Sequence, residues 1–98
     1  MLVSVVIPVY NEMSTLAELL RRVTAVDFPK ELVIVDDCSR DGSREFLQQL
    51  EEQGLPLLGG EPRNLNELRV IFQERNQGKG AALRRGFTEA SGDIVIVQ

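Results

Sequence analysis

Three short polar clusters hold the residues able to do chemistry: Pro8-Val9-Tyr10-Asn11-Glu12, Asp36 through Asp41, and Asn76-Gln77-Gly78-Lys79-Gly80. Each follows a short apolar run. The second cluster is the sharpest, because Val33-Ile34-Val35 ends abruptly in Asp36 and Asp37, and Cys38-Ser39-Arg40-Asp41-Gly42-Ser43 follows. Val/Ile runs of this kind read as buried parallel strands. Unpaired charge inside such a strand is costly, so the two carboxylates belong at its C-terminal end, where open α/β sheets bind ligands. Neighbouring residues of an extended segment point to opposite sides. One carboxylate can therefore face a crevice while the other braces the following turn, and a proton-sharing dyad is not expected. In a crevice, Asp37 can accept N–H donors from a nucleobase or hydroxyls from a ribose.

The other two clusters suit the same kind of ligand. Tyr10 and Glu12 supply an aromatic ring and a carboxylate for stacking on, and bonding to, a nucleoside; the plainer alternative is an ordinary loop, with Glu12 favouring a helix N-terminus. Gly78 and Lys79 precede a helix, where backbone N–H groups and a cation can hold a phosphate. The alternative there is a tight turn. A P-loop is excluded, since Gln73 and Gly80 occupy its first-glycine and Ser/Thr positions. A dinucleotide fingerprint is excluded too, since Leu83 stands where its third glycine belongs. Asp41 reads as a helix N-cap. Cys38 has no histidine partner and reads as a turn residue, and Arg84 and Arg85 read as a solvated face.

The elements that must position these clusters follow from the apolar pattern. Val3 to Ile7 is a strand that Pro8 should end. Asn11 to Ser14 offer N-caps, and Leu16, Leu19, Leu20 and Val23 recur at helical spacing. Leu32 to Val35 is the second strand. Phe46, Leu47 and Leu50 form the inner face of a second helix, with Gly54 as its C-cap. Leu55 to Leu68, with Pro56, Gly59, Gly60 and Pro62, reads mostly as loop. Arg69 to Gln73 is a third strand, Leu83, Gly86, Phe87 and Ala90 form the inner face of a third helix, and Asp93 to Gln98 is a fourth strand. The order βαβαβαβ predicts an α/β fold with a four-stranded parallel sheet covered by helices on both faces. Parallel connection then brings all three polar clusters to one edge.

Composition narrows the classes of function. The chain has 98 residues, 43% hydrophobic and 27% charged, with a formal net charge of −4 and both signs interspersed. No basic stripe is available for a nucleic-acid face. One cysteine and no histidine exclude an internal disulfide and His-based triads. Any metal chemistry must use carboxylates. No apolar run reaches the roughly 20 residues of a membrane span, and Met1-Leu2-Val3-Ser4-Val5 has no basic leader.

In order and spacing, Val6-Ile7-Pro8-Val9-Tyr10-Asn11-Glu12, Ile34 through Ser43, Arg75 through Gly86 and Ser91-Gly92-Asp93-Ile94-Val95 resemble the N-terminal half of family 2 glycosyltransferases of the GT-A fold. The run Gly78-Lys79-Gly80-Ala81-Ala82-Leu83 is most similar to the polyprenyl-phosphate sugar synthases. The resemblance implies a Rossmann-like three-layer α/β/α unit, with residues 1–98 forming the first part of a larger, inverting transferase domain. It implies a UDP- or GDP-sugar donor, with Pro8, Tyr10, Glu12, Asp36, Asp37, Gly78 and Lys79 around the nucleotide: Asp37 on the base, Glu12 near ribose or base, Asp36 bracing the loop, Gly78 and Lys79 near the base or diphosphate. It also implies Mg²⁺ or Mn²⁺ for the full-length enzyme, held by an Asp-x-Asp motif that should begin where this sequence reaches Gln98. These residues alone should then lack the metal ligands and the catalytic base, and should not transfer sugar. A cytoplasmic location is expected, in a parent protein that can be membrane-associated. The edge of Ile94 to Val97 is expected to pair with a second chain. The alternative of another class is a small nucleotide-binding or interaction module that never catalyses.

Overall fold

The computed structural model describes residues 1–98. The chain runs β1 (Val3–Val9), α1 (Met13–Ala25), β2 (Lys30–Asp36), α2 (Ser43–Gln53), a 3₁₀ turn (Leu55–Leu58), β3 (Leu65–Phe72), α3 (Lys79–Glu89) and β4 (Ile94–Val97). All strand pairs are parallel and the spatial order is β3-β2-β1-β4. This is the α/β architecture expected from the alternating pattern.

Each central strand is apolar on both faces because helices cover both. Val5, Ile7, Leu32 and Ile34 pack with Leu16 and Leu20 of α1 and Leu47 and Leu50 of α2. The opposite face carries Val6, Val33 and Val35 against Ala82 of α3. At α3 the expected inner face holds at Leu83 and Gly86 and is corrected at Phe87. Ala82 and Gly86 are buried, whereas Phe87 is 48% exposed. The cause is close approach: a Cβ on Gly86 would overlap the Val6 side chain. A helix seated this near the sheet meets it with its smallest residues and turns the ring outward.

Three boundaries also differ from expectation. β1 continues through Pro8 to Val9. In this strand odd positions bond β2 and even positions face β4, as the bonds from Asp37 N–H to Val9 O and from Gln98 N–H to Val6 O show. The missing N–H of Pro8 thus faces the β4 side, past the last paired residue Val6, and the β1–β2 ladder runs through Pro8 without it. β2 begins earlier, at Lys30, and β3 begins at Leu65 inside the segment expected to be loop. The Lys30–Leu65 pair is followed by a register shift before Glu31 pairs with Glu67.

β4 bonds only to β1, and its four residues are 40–47% exposed. No helix of the structure is long and apolar enough to cross a membrane.

Candidate functional site

The order β3-β2-β1-β4 places a reversal between β1 and β4, because the chain leaves β1 toward β2 and later returns to the other side of β1. Helix α1 lies on one face and α3 on the other. In open sheets such a reversal leaves a crevice at the carboxyl ends of the strands. A cavity of about 490 Å³ sits there, lined by Pro8, Val9, Tyr10, Glu12, Leu19, Asp37, Asn76, Gly78, Lys79, Ala82 and Gln98. All three polar clusters meet in it.

Six of the seven residues singled out from the sequence line this cavity: Pro8, Tyr10, Glu12, Asp37, Gly78 and Lys79. Asp36 does not. It shares the sheet face of Ile34 and lies under α2, fully buried. Its Oδ2 accepts the Ser39 N–H at 3.1 Å and an Arg44 N–H at 3.2 Å. The Arg44 guanidinium also donates to the Gln73 carbonyl at 3.0 Å and stacks over the Phe72 ring. Asp36 thus braces the ends of β2 and β3 from below. Its Oδ1 is buried without a partner.

Asp37 points to the other side, as strand alternation requires, and is 4% exposed. Its Oδ1 accepts the Gln77 N–H at 2.9 Å and its Oδ2 the Gly78 N–H at 3.0 Å. The carboxylate therefore holds the β3–α3 loop against the end of β2. Asn76 Oδ1 accepts the Gly78 N–H as well, at 3.0 Å, an Asx turn. Gly78 takes φ 92°, which favours glycine, and a Cβ there would meet only open space. The constraint at this position is backbone conformation.

The three helix N-termini differ. Asp41 serves two of them. Its Oδ2 accepts the Met13 N–H of α1 at 3.0 Å, and its Oδ1 accepts the Ser43 N–H of α2 at 3.0 Å and the Ser43 hydroxyl at 2.7 Å. The Met13 amide, and after it the Ser43 hydroxyl, hold the Asp41 carboxyl below its ordinary value. The expected cap is corrected by one residue: Gly42 occupies the N-cap position and Asp41 reaches past it. Helix α3 starts at Gly78 with no side-chain cap and no acidic residue in its first turn, and Lys79 is its first residue. A cation at that end opposes the helix dipole unless an anion joins it.

Val9 and Asn76, members of two of the polar clusters but not among the seven residues assigned to the nucleotide, also line the cavity, and so do Leu19, Ala82 and Gln98, which were not anticipated from the sequence. Asn76 carried the signal, an Asx residue two positions before a glycine. Leu19 and Ala82 gave none, since their spacing is that of ordinary core. No three His, Cys, Asp or Glu side chains converge on a cation position. Asp36 is buried under α2 away from the cavity and both Asp37 oxygens accept loop amides, so the residues present do not fit a divalent-metal site.

Residues 4–98 match the family model described as glycosyl transferase family 2. The chain is 43% identical, over 96% of its length, to an undecaprenyl-phosphate 4-deoxy-4-formamido-L-arabinose transferase of Pseudomonas savastanoi pv. phaseolicola, and covers 26% of that protein. It is 41% identical to a transferase of the same name from Aeromonas hydrophila, covering 97% of this chain and 27% of that protein. The chain thus spans about a quarter of the length of the curated relatives it matches. Among solved structures, S. aureus TarS 1–349 in complex with UDP superposes with a TM-score of 0.77 at 30% identity, over 100% of this chain and 27% of that one. The Pyrobaculum calidifontis mannosyltransferase PcManGT, in complex with GDP-Man and Mn²⁺, gives 0.76 at 30% identity, over 95% of this chain and 25% of that one.

Proposed function

The chain belongs to glycosyl transferase family 2, and on that premise we infer that its cavity receives the nucleotide of a nucleotide-sugar donor. The observation that carries this reading is the convergence of Tyr10, Glu12, Asp37, Gly78 and Lys79 from three separate loops on one cavity. The chemistry fits part by part. The Tyr10 ring offers a stacking surface. Asp37 and Glu12 offer acceptors for base or ribose donors. The uncapped start of α3, with Lys79, offers N–H groups and positive charge to a phosphate. Relatives named as undecaprenyl-phosphate sugar transferases, and structural neighbours holding UDP or GDP-Man, support a UDP- or GDP-sugar donor and a polyprenyl-phosphate acceptor for the whole protein.

Metal use belongs to the same proposal. The Mn²⁺ of the mannosyltransferase complex supports a Mg²⁺ or Mn²⁺ on the donor diphosphate in the whole protein, where it would neutralise the leaving group. Residues 1–98 are expected to bind nucleotide without transferring sugar. They are also expected to self-associate through the apolar edge of β4, read by sedimentation as a mass that rises with concentration. The location proposed for the whole protein is the cytoplasmic side of a membrane that holds its lipid acceptor.

Calorimetric titration with UDP and GDP, with and without Mn²⁺, tests the central part. Binding of either nucleotide without metal, lost in Asp37→Ala, supports it. Absence of binding by both at millimolar concentration overturns it.

A further inference from the structure

Strands β1 and β2 stay in backbone register as far as the bond from the Asp37 N–H to the Val9 carbonyl, 2.9 Å. Beyond that rung they part toward different helices, and the next amides of the β1–α1 turn need other partners. Three successive amides find them on alternate side chains of the β2–α2 turn. The Asn11 N–H donates to Ser39 Oγ at 2.9 Å, the Glu12 N–H to Ser43 Oγ at 3.1 Å, and the Met13 N–H to Asp41 Oδ2 at 3.0 Å. One bond runs back, from the Arg40 N–H to Asn11 Oδ1 at 2.8 Å. The receiving side is itself braced, since Ser39 donates its N–H to Asp36 and Ser43 donates its hydroxyl to Asp41. Asn11 sits at φ 51° within this set of bonds, in the left-handed region that asparagine tolerates better than most residues.

We propose that Ser39, Asp41 and Ser43 are positioning residues for the cavity: a side-chain latch that holds Tyr10 and Glu12 at a set distance from Asp37. Capping alone accounts for Met13 and Ser43, which begin helices. It does not account for Asn11 and Glu12, whose amides lie before α1 and flank the cavity. Tyr10 is 45% exposed, so its ring is placed by the backbone that carries it. That backbone is tied at Val9 by the sheet and at Asn11 by the latch. The effect on ligand affinity rests on the nucleotide reading above; the latch itself does not.

Tyr10 is the only tyrosine and there is no tryptophan, so tyrosine emission reports this turn alone. The experiment compares Asp41→Ala, Ser39→Ala and Ser39→Thr with the unaltered chain by acrylamide quenching, amide hydrogen exchange and UDP or GDP titration. In the unaltered chain, amides 11–13 are expected to exchange as slowly as the rungs of the β1–β2 ladder. Asp41→Ala and Ser39→Ala should expose Tyr10 to quencher, speed exchange at 11–13 by about fivefold or more, as loss of one hydrogen bond implies, and leave the β2 amides unchanged. Nucleotide affinity should fall in both, and Ser39→Thr, which restores a hydroxyl, should recover it. Loosening of Tyr10 in a chain that binds no nucleotide upholds the latch and removes the nucleotide reading. Fast exchange at 11–13 in the unaltered chain overturns the latch. So do folded Asp41→Ala and Ser39→Ala chains with unchanged quenching and exchange.

Discussion

Strand β2 carries a charged pair at each end, Lys30-Glu31 where it opens and Asp36-Asp37 where it closes, and all four residues are at most 4% exposed. At the opening end the protein satisfies every charge itself. The Lys30 ammonium donates to the Val26 and Arg63 carbonyls at 2.6 Å each and lies over the Phe28 ring. Glu31 accepts the Ser4 hydroxyl and both the N–H and hydroxyl of Ser91. Ser4 Oγ in turn accepts the Gly92 N–H at 2.8 Å. A cavity of about 300 Å³ reaches this network only at Val26 and Phe28, and neither Lys30 nor Glu31 lines it. At the closing end one Asp36 oxygen has no partner, and Asp37 binds two amides of a loop while lining open space. Burial is equal at the two ends, so burial does not mark the site. The mark is an incompletely enclosed carboxylate beside a cavity, among groups contributed by several loops.

The contrast is sharpest in stability. Glu31→Ala leaves the buried Ser4 hydroxyl and the part-buried donors of Ser91 unmatched. It should lower unfolding free energy by about 2–4 kcal/mol, the range for breaking a buried polar network, with nucleotide affinity of the folded fraction unchanged. Urea unfolding followed by circular dichroism reads the first effect and calorimetry the second. Asp37→Ala should do the reverse. Affinity for UDP or GDP should fall by about ten- to a hundredfold, consistent with loss of a charge-assisted bond, and the urea midpoint should fall less than in Glu31→Ala. Equal destabilisation by the two variants would erase the distinction between the ends.

Acid titration sharpens the comparison further. Burial pushes the Glu31 carboxyl up, but the bonds from Ser4 and Ser91 more than reverse this, so its pKa lies below the ordinary 4.5. A carboxyl with a depressed folded-state pKa adds stability above its unfolded value and loses it as pH falls through the folded one. Stability of the unaltered chain should therefore drop more steeply below about pH 4.5 than that of Glu31→Gln. The difference between the two urea midpoints, measured from pH 6 to pH 3, isolates this residue. The smallest effect belongs to Lys79, which is exposed. Lys79→Ala should leave stability within about 0.5 kcal/mol. Its loss should weaken nucleotide binding a few-fold at low salt and less at high salt, where charges are screened.

The closing end of β2 was legible in the sequence because an uninterrupted Val/Ile run stopping at two carboxylates has one economical reading in a parallel sheet. The meeting of Tyr10, Asp37 and Lys79 followed from strand direction alone. The opening end was not legible. Lys30 and Glu31 look like solvated residues before a strand, and their partners, Arg63 and Ser91, are 33 and 60 positions away. The start of β3 was hidden likewise, because Leu65-Asn66-Glu67-Leu68 follows two glycines and a proline and lacks the continuous apolar run of a central strand. On α3 the apolar pattern rightly placed Gly86 inward but favoured Phe87, whereas close approach to Val6 turned Phe87 out and brought Ala82 in. Asp41 was recognisable as a capping residue, but its reach to a second helix depends on how two loops lie together.

Amide chemical shifts during titration with UDP and with GDP test most directly the claim that one end of the sheet binds and the other only holds. With at least one nucleotide, shifts should concentrate at residues 9–12, 37 and 76–79, while 30–31 and 91–92 stay still. Saturating shifts at the Lys30-Glu31 end, or none at the Asp37 end with either nucleotide, would contradict the account.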